Sequence, residues 1–139
     1  MDLQQIKERF RCVDLLQYPL LNGLERNQIY EGKMGPGGLF LASCMSEQIQ
    51  GHVADNLRIM DLGCGKGTTS IFLGRNYEAI ICAVDLWIKA TEIFQRVQKA
   101  RLEKKVIPFN LDITESLPFA NDYFDVIFCM DAIHYFGAN

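Results

Sequence analysis

The stretch LRIMDLGCGKGTT, residues 57–69, decides how this chain folds. A short apolar run ends at an acidic residue, Asp61. Gly63, Gly65 and Gly67 follow at every second position, and a segment of β-branched and apolar residues begins at Thr68. That order reads as strand, tight glycine turn and helix. Glycine lets a backbone approach a ligand closely, and the first turn of the helix brings N–H groups with no partner inside the helix. An apolar run closed by an acid recurs downstream: AIICAVD ends at Asp85, VIPFNLD at Asp112 and VIFCMD at Asp131. Four carboxylates at the ends of four strands make one edge suited to a polar, partly cationic ligand.

Working outward, the apolar runs predict strands over 57–62, 79–84, 105–111 and 124–130. Helices are expected over 67–75 and 88–103, and another begins near Ala132. Ile88, Thr91, Ile93, Phe94, Val97 and Leu102 give the second of these a buried face. Short apolar strands alternating with helices imply a parallel sheet of right-handed βαβ units. Leu117-Pro118-Phe119 with Asn121-Asp122 makes a turn-rich loop before the last strand. Upstream, Asp2 can cap a helix whose stripe is Leu3, Ile6, Phe10, Val13 and Leu16, and Pro19 ends it. Residues 20–34 fit no single pattern. Gly35-Pro36-Gly37-Gly38 is a turn, followed by a helix with Leu39, Ala42, Met45 and Ile49 on one face. No repeat, linker or low-complexity tract interrupts the chain. It divides into an N-terminal helical cap segment, 1–56, and a sheet domain, 57–139.

The chain has 139 residues, 49% of them hydrophobic, which fits one domain with a sizeable core. A net charge of −3 and a pI near 5.3 argue against nucleic acid as a partner. The densest basic patch, Lys99 to Lys105, contains Glu103 and reads as a solvated helix end. Cys12, Cys44, Cys64, Cys82 and Cys129 are an odd, scattered set without a C-x-x-C pair. They imply a reducing, cytoplasmic setting rather than a disulfide framework. The N-terminus lacks the apolar centre of a signal peptide, and no run is long enough to span a membrane. The expected partner is a small molecule, not nucleic acid or membrane.

The glycine spacing separates two ligand classes. A dinucleotide fingerprint, G-x-G-x-x-G, would need glycine at position 68, which is Thr68. It also places no acid where Asp61 stands, since a pyrophosphate avoids negative surroundings. A sulfonium with a free amino group prefers them. Here the chain resembles the class I S-adenosylmethionine-dependent methyltransferases. Asp61, Gly63, Gly65 and Gly67 match their first motif, Asp85 in AVDLW the second, Asp112 in NLDI the third and FDVIFCMDAIHYF the fourth. YEGKMGPGGL, residues 30–39, looks like the pre-motif of a bacterial small-molecule branch. The resemblance covers roughly residues 28–137.

The resemblance implies S-adenosylmethionine as cofactor. Its methionine part would lie on the turn at Asp61, Gly63, Cys64 and Gly65. Asp85 would accept from both ribose hydroxyls, a charge-assisted contact that suits a vicinal diol. Leu86 and Trp87 would border the adenine, Asp112 would accept from its amino group, and Ile113 would lie beside the ring. Met130 and Asp131 would lie near the sulfonium. No obligatory catalytic residue is implied; Asp131 and His134 are candidates.

Plainer readings stand beside these. The glycines can be an ordinary turn, Asp85 a helix cap, Asp112 an Asx-turn residue and Asp131 an N-cap. Trp87, Tyr30 and Lys33 can be local packing, and His52 and His134 structural. Several chemistries are set aside. Cys129 has no preceding proline, so the cytosine-C5 nucleophile motif is absent, and Met130-Asp131-Ala132 is not a Pro-Pro-aromatic clamp. No His, Cys and Asp cluster has zinc spacing. A catechol-type Mg²⁺ site would need carboxylates from a fifth strand.

The family fold is a Rossmann-like three-layer αβα sandwich with strand order 3-2-1-4-5-7-6. This chain is expected to hold 3-2-1-4, with strands five to seven missing. The apolar fourth strand then becomes an edge, open to self-association or to a partner chain. Two functions follow as expectations. One is a methyltransferase, or its N-terminal portion, acting on a small-molecule acceptor. The other is a non-catalytic cofactor-binding module that associates with a partner. Asp61 and Thr68 disfavour a nicotinamide dehydrogenase.

Overall fold

The computed structural model describes residues 2, 4–5, 18–21, 34, 37–51 and 55–137. Most of the expected first helix, and Tyr30, Lys33 and His52, lie outside the described residues. At the start of that helix, Asp2 Oδ1 accepts the N–H groups of Gln4 and Gln5, both at 2.8 Å. The Asp2 N–H donates back to Gln5 Oε1 at 3.0 Å, a reciprocal cap of the kind the sequence predicts at Asp2.

The elements run α1 (Gly38–Ile49), β1 (Leu57–Leu62), α2 (Thr68–Asn76), β2 (Ala79–Asp85), α3 (Ala90–Lys99), β3 (Val106–Asn110) and β4 (Val126–Phe128). Short 3₁₀ turns lie at Pro19–Leu21 and Ile133–Tyr135. The four strands are parallel in the order β3-β2-β1-β4, as expected. Ile59 pairs with Ile81 on one side and Val126 on the other, and Ile81 pairs with Val106. Alternation therefore puts Leu57, Ile59, Ile81, Ala83, Val106 and Phe128 on one face. These meet Phe72 and Leu73 of α2, Ile93 and Val97 of α3, and Leu39 and Ala42 of α1 in one core. Ile59, Leu73, Ile81, Ile93, Val97 and Val106 are wholly buried, each contributing about 1.5–3 kcal/mol.

The route from β3 to β4 decides where a ligand can sit. α2 and α3 carry the chain from β1 to β2 and from β2 to β3 over the core face. The chain must then return across β2 and β1 to reach β4, and right-handed crossover sends that return over the opposite face. Residues 111–125 make the crossing without a helix. Phe109, on that opposite face, meets Phe119 at 5.4 Å between ring centroids, and Phe119 meets Phe124 at 4.9 Å. Arg58, on the same face, lies 4.9 Å over the Tyr123 ring and pairs with Asp125 at 3.2 Å. Ile80, Ile107 and Ile127 stay 39%, 42% and 60% exposed on this face.

α2, β2 and β3 differ from expectation by one residue at one or both ends, and α3 and β4 by more. α3 starts at Ala90 because the Asp85 carboxylate holds the N–H groups of Trp87 and Ile88 at 2.8 and 2.9 Å, outside any helix. It ends at Lys99 because Arg101 turns left-handed (φ 57°). Leu102 N–H then bonds Val97 O, and Arg101 N–H bonds Gln98 O, the double bond of a Schellman stop. β4 is cut to the three residues Val126–Phe128 that pair with Ile59–Asp61 of β1. A 3₁₀ turn, not an α-helix, follows Ala132. Among the described residues, no helix is long and apolar enough to cross a membrane.

Candidate functional site

The turn after β1 is built on β2. Gly63 and Cys64 both donate their N–H to Val84 O, at 2.9 and 3.0 Å. Gly63, Gly65 and Gly67 have φ of 69°, 55° and 78°, the left-handed region that favours glycine. A Cβ on Gly63 would lie 2.5 Å from Ala132 Cβ, and one on Gly65 would lie 2.8 Å from Met34 Sδ. The close approach that these glycines permit is thus already used by the chain itself.

β2 ends in Asp85, which is 7% exposed. Its Oδ2 accepts the Gly65 N–H at 2.8 Å, while Oδ1 takes the N–H groups of Trp87 and Ile88. One carboxylate joins the glycine turn to the loop before α3. Asn110, closing β3, donates from Nδ2 to the carbonyls of Asp85 and Leu86 at 3.0 and 2.9 Å and pins that loop from below.

A cavity of about 370 Å³ opens at the carboxyl ends of the strands, where strand order reverses between β1 and β4. Open parallel sheets bind ligands at this position. Gly63, Cys64 and Gly65 form one wall, Asp85 and Leu86 a second, Asp112 and Ile113 a third, and Met130, Asp131 and His134 a fourth. The fold therefore brings these ten residues, all singled out from the sequence, to one cavity; Asp61 and Gly67 are not among its lining residues.

Asp61 lies beneath the turn, 1% exposed, with Oδ2 accepting the Ser70 hydroxyl at 2.6 Å. Burial pushes its carboxyl up to about 7; the Ser70 bond opposes the rise and the charge of Asp85 adds to it. Burial also pushes the Cys64 thiol up, and Asp61 and Asp85 push it further, so Cys64 is a small apolar wall residue rather than a thiolate. Asp112 Oδ1 accepts the Thr114 hydroxyl at 2.6 Å and its N–H at 2.9 Å, which hold its carboxyl below the ordinary value. That is the Asx-turn geometry, on a residue that still faces the cavity. Asp131 is left-handed (φ 57°) and exposed. The 3₁₀ turn after it has Ala132 at its cap position and no side-chain cap bond, so Asp131 is not its N-cap. His134 lies 4.1 Å from the Tyr135 ring, which in turn meets Trp87 at 5.0 Å.

Acids at Asp85, Asp112 and Asp131 surround the cavity, with Lys66 and His134 as basic wall residues. Such a wall can take hydroxyl and amino donors and a cationic centre. Sequence reading missed Asn110, Ser70, Met34, Tyr135 and Phe136. Asn110 carried a usable signal, a polar residue closing an otherwise apolar strand. The others are brought to the site by the tertiary fold.

The chain matches the methyltransferase domain family over residues 59–139, more than half of its length, and it belongs to that family. No curated protein matches it. Among solved structures it is similar to the S-adenosylmethionine-dependent methyltransferase of Thiobacillus denitrificans in complex with S-adenosylhomocysteine. That match has a TM-score of 0.62 and 16% identity, covering 84% of this chain and 47% of that one. The YcgJ protein of Bacillus subtilis matches with a TM-score of 0.59 and 26% identity over 70% of this chain and 40% of that one. The [4+2]-cyclase SpnF matches with a TM-score of 0.56 and 20% identity over 63% of this chain and 32% of that one. The chain thus spans between 32% and 47% of the length of these three structures.

Proposed function

We propose that the cavity binds S-adenosylmethionine and that the chain is the cofactor-binding part of a methyltransferase acting on a small-molecule acceptor. The observation that carries this reading is the carboxylate of Asp85, on the cavity wall and bonded to the glycine turn at 2.8 Å. The site left free on Oδ2 suits a ribose hydroxyl, a charge-assisted contact. Leu86 borders the nucleoside, Asp112 and Ile113 take the base, and Gly63, Cys64 and Gly65 take the amino-acid end. Met130 and Asp131 adjoin the sulfonium, and Asp61 supports the turn from beneath through its bond from Ser70. The bound cofactor supplies an electrophilic methyl group. The residues of the chain orient the two reactants and exclude water, and no side chain is consumed. Asp131 and His134 face the cavity and are candidates for steering the proton of the acceptor. Residues 57–139 form the cofactor domain in this reading, 1–56 cap it, and the scattered thiols fit the cytoplasm. The Thiobacillus denitrificans complex with S-adenosylhomocysteine supports the cofactor class.

A second reading has its own observation. Ile80, Ile107 and Ile127 expose one sheet face, and the outer edge of β4 has no strand partner among the described residues. A non-catalytic cofactor-binding module that docks on a partner chain would use such a surface. The likeness to a cyclase fits a fold that hosts more than one chemistry. Methyl transfer by the chain to any acceptor excludes this second reading.

Calorimetric titration with S-adenosylhomocysteine and, separately, with NAD tests the cofactor. Binding of the first and not the second is expected; the reverse overturns the proposal.

A further inference from the structure

We propose that Tyr135 and Trp87 form an aromatic clasp across the mouth of the cavity, in which Tyr135 positions Trp87 over the bound nucleoside and slows its release. The proposal rests on the cofactor reading for the identity of the ligand. Trp87 comes from the loop after β2 and Tyr135 from the segment after β4, and both line the cavity. β2 and β4 flank β1 on opposite sides, so a contact between these two rings spans the glycine turn. The ring centroids are 5.0 Å apart at 79°, the edge-to-face arrangement that aromatic pairs prefer.

The bases of the two side chains are held while their rings are not covered. The Trp87 N–H is tied to Asp85 Oδ1 at 2.8 Å, and Asn110 holds the carbonyl of the preceding residue. On the other side, Ala132 is 6% exposed and seated on Gly63, and the Tyr135 N–H bonds Ala132 O at 3.0 Å. Left-handed residues, Asp131 (φ 57°) and Gly137 (φ 81°), bracket the segment. Yet Trp87 is 62% and Tyr135 58% exposed. Their contact joins two anchored loops that share no strand pairing, so each ring limits the movement of the other at the cavity wall.

The chain contains one tryptophan, so its emission reports Trp87 alone. Release of S-adenosylhomocysteine is followed by stopped-flow tryptophan emission for the unchanged chain, Tyr135→Ala and Tyr135→Phe, with circular dichroism as the fold check. Losing the ring pair should speed release about two- to tenfold in Tyr135→Ala, and Tyr135→Phe, which keeps the ring, should release at the parent rate. Acrylamide should quench Trp87 more readily in ligand-free Tyr135→Ala than in the parent. Release at the parent rate from folded Tyr135→Ala overturns the clasp while leaving the cofactor reading intact. Equal defects in Tyr135→Ala and Tyr135→Phe also overturn it, since the ring would then not be the cause. Absence of S-adenosylhomocysteine binding to the unchanged chain by calorimetry overturns the cofactor reading, and this proposal with it.

Discussion

Asp85 Oδ2 takes the N–H of Gly65 at 2.8 Å, so the acid closing β2 and the glycine turn closing β1 are one mechanical unit. The same carboxylate holds Trp87 and Ile88 through Oδ1. A ligand that engages Asp85 therefore acts on both walls of the cavity at once. A carboxylate offers about four lone-pair sites and three are taken, two of them on Oδ1, so Oδ2 keeps room for one further donor.

The first two glycines of the turn should respond differently to a methyl group. On Gly63 it meets Ala132 Cβ at 2.5 Å, an atom of a buried, anchored residue; on Gly65 it meets the flexible end of Met34 at 2.8 Å. Both substitutions suffer the left-handed backbone, about 1–2 kcal/mol. Gly63→Ala adds overpacking of about 1–3 kcal/mol, and Gly65→Ala adds little because Met34 can swing aside. Denaturant titration should find Gly63→Ala clearly the less stable of the two. Equal stabilities would show that the segment after β4 does not rest on Gly63.

Asp61 predicts a pH dependence. Its folded value of about 7 lies above the ordinary 3.8, so between these values the folded chain holds a proton that the unfolded chain has lost. Stability then falls as pH rises from about 4 to about 7 and loses nothing more from this group above that. Asp61→Asn keeps an acceptor for Ser70 and removes the ionisation. Unfolding free energies measured at pH 5 and pH 8 should drop less in the variant than in the parent. The gain at pH 8 should reach as much as about 4 kcal/mol. An unchanged drop would mean that Asp61 is not the responsible group.

The open face predicts association. β4 presents an unpaired edge among the described residues, and Ile127 beside it is 60% exposed. Sedimentation should show concentration-dependent self-association that Ile127→Lys weakens, because a charge on an exposed edge opposes strand pairing. A monomer at every concentration, transferring methyl groups efficiently, would show that four strands suffice.

Much of this architecture was legible because its signals are local. Apolar runs closed by Asp61, Asp85 and Asp112 mark three strand ends, and the alternating glycines mark the turn. The ends of α3 were not legible. Its start is set by the competition of Asp85 for Trp87 and Ile88 N–H groups, and its stop by an arginine, Arg101, in a conformation that glycine usually signals. The apolar run 124–130 read as one strand, but only Val126–Phe128 pair with β1, and Met130 becomes cavity wall instead. In the site, the acids and glycines on the wall were readable as chemistry. The seat of Asp61 beneath the turn was not, because it depends on Ser70 arriving from α2. The meeting of Trp87 with Tyr135 depends on strand order, which puts β2 and β4 on either side of β1.

One calorimetric comparison tests whether Asp85 and the glycine turn build a site for S-adenosylmethionine. S-adenosylhomocysteine is titrated into the unchanged chain and into Asp85→Ala, with circular dichroism showing that both are folded. Loss of a charge-assisted hydrogen bond to the ribose removes about 1.5–3 kcal/mol, so the variant should bind roughly ten- to a hundredfold more weakly. Equal affinity in the two folded proteins would contradict the account and place the ligand elsewhere.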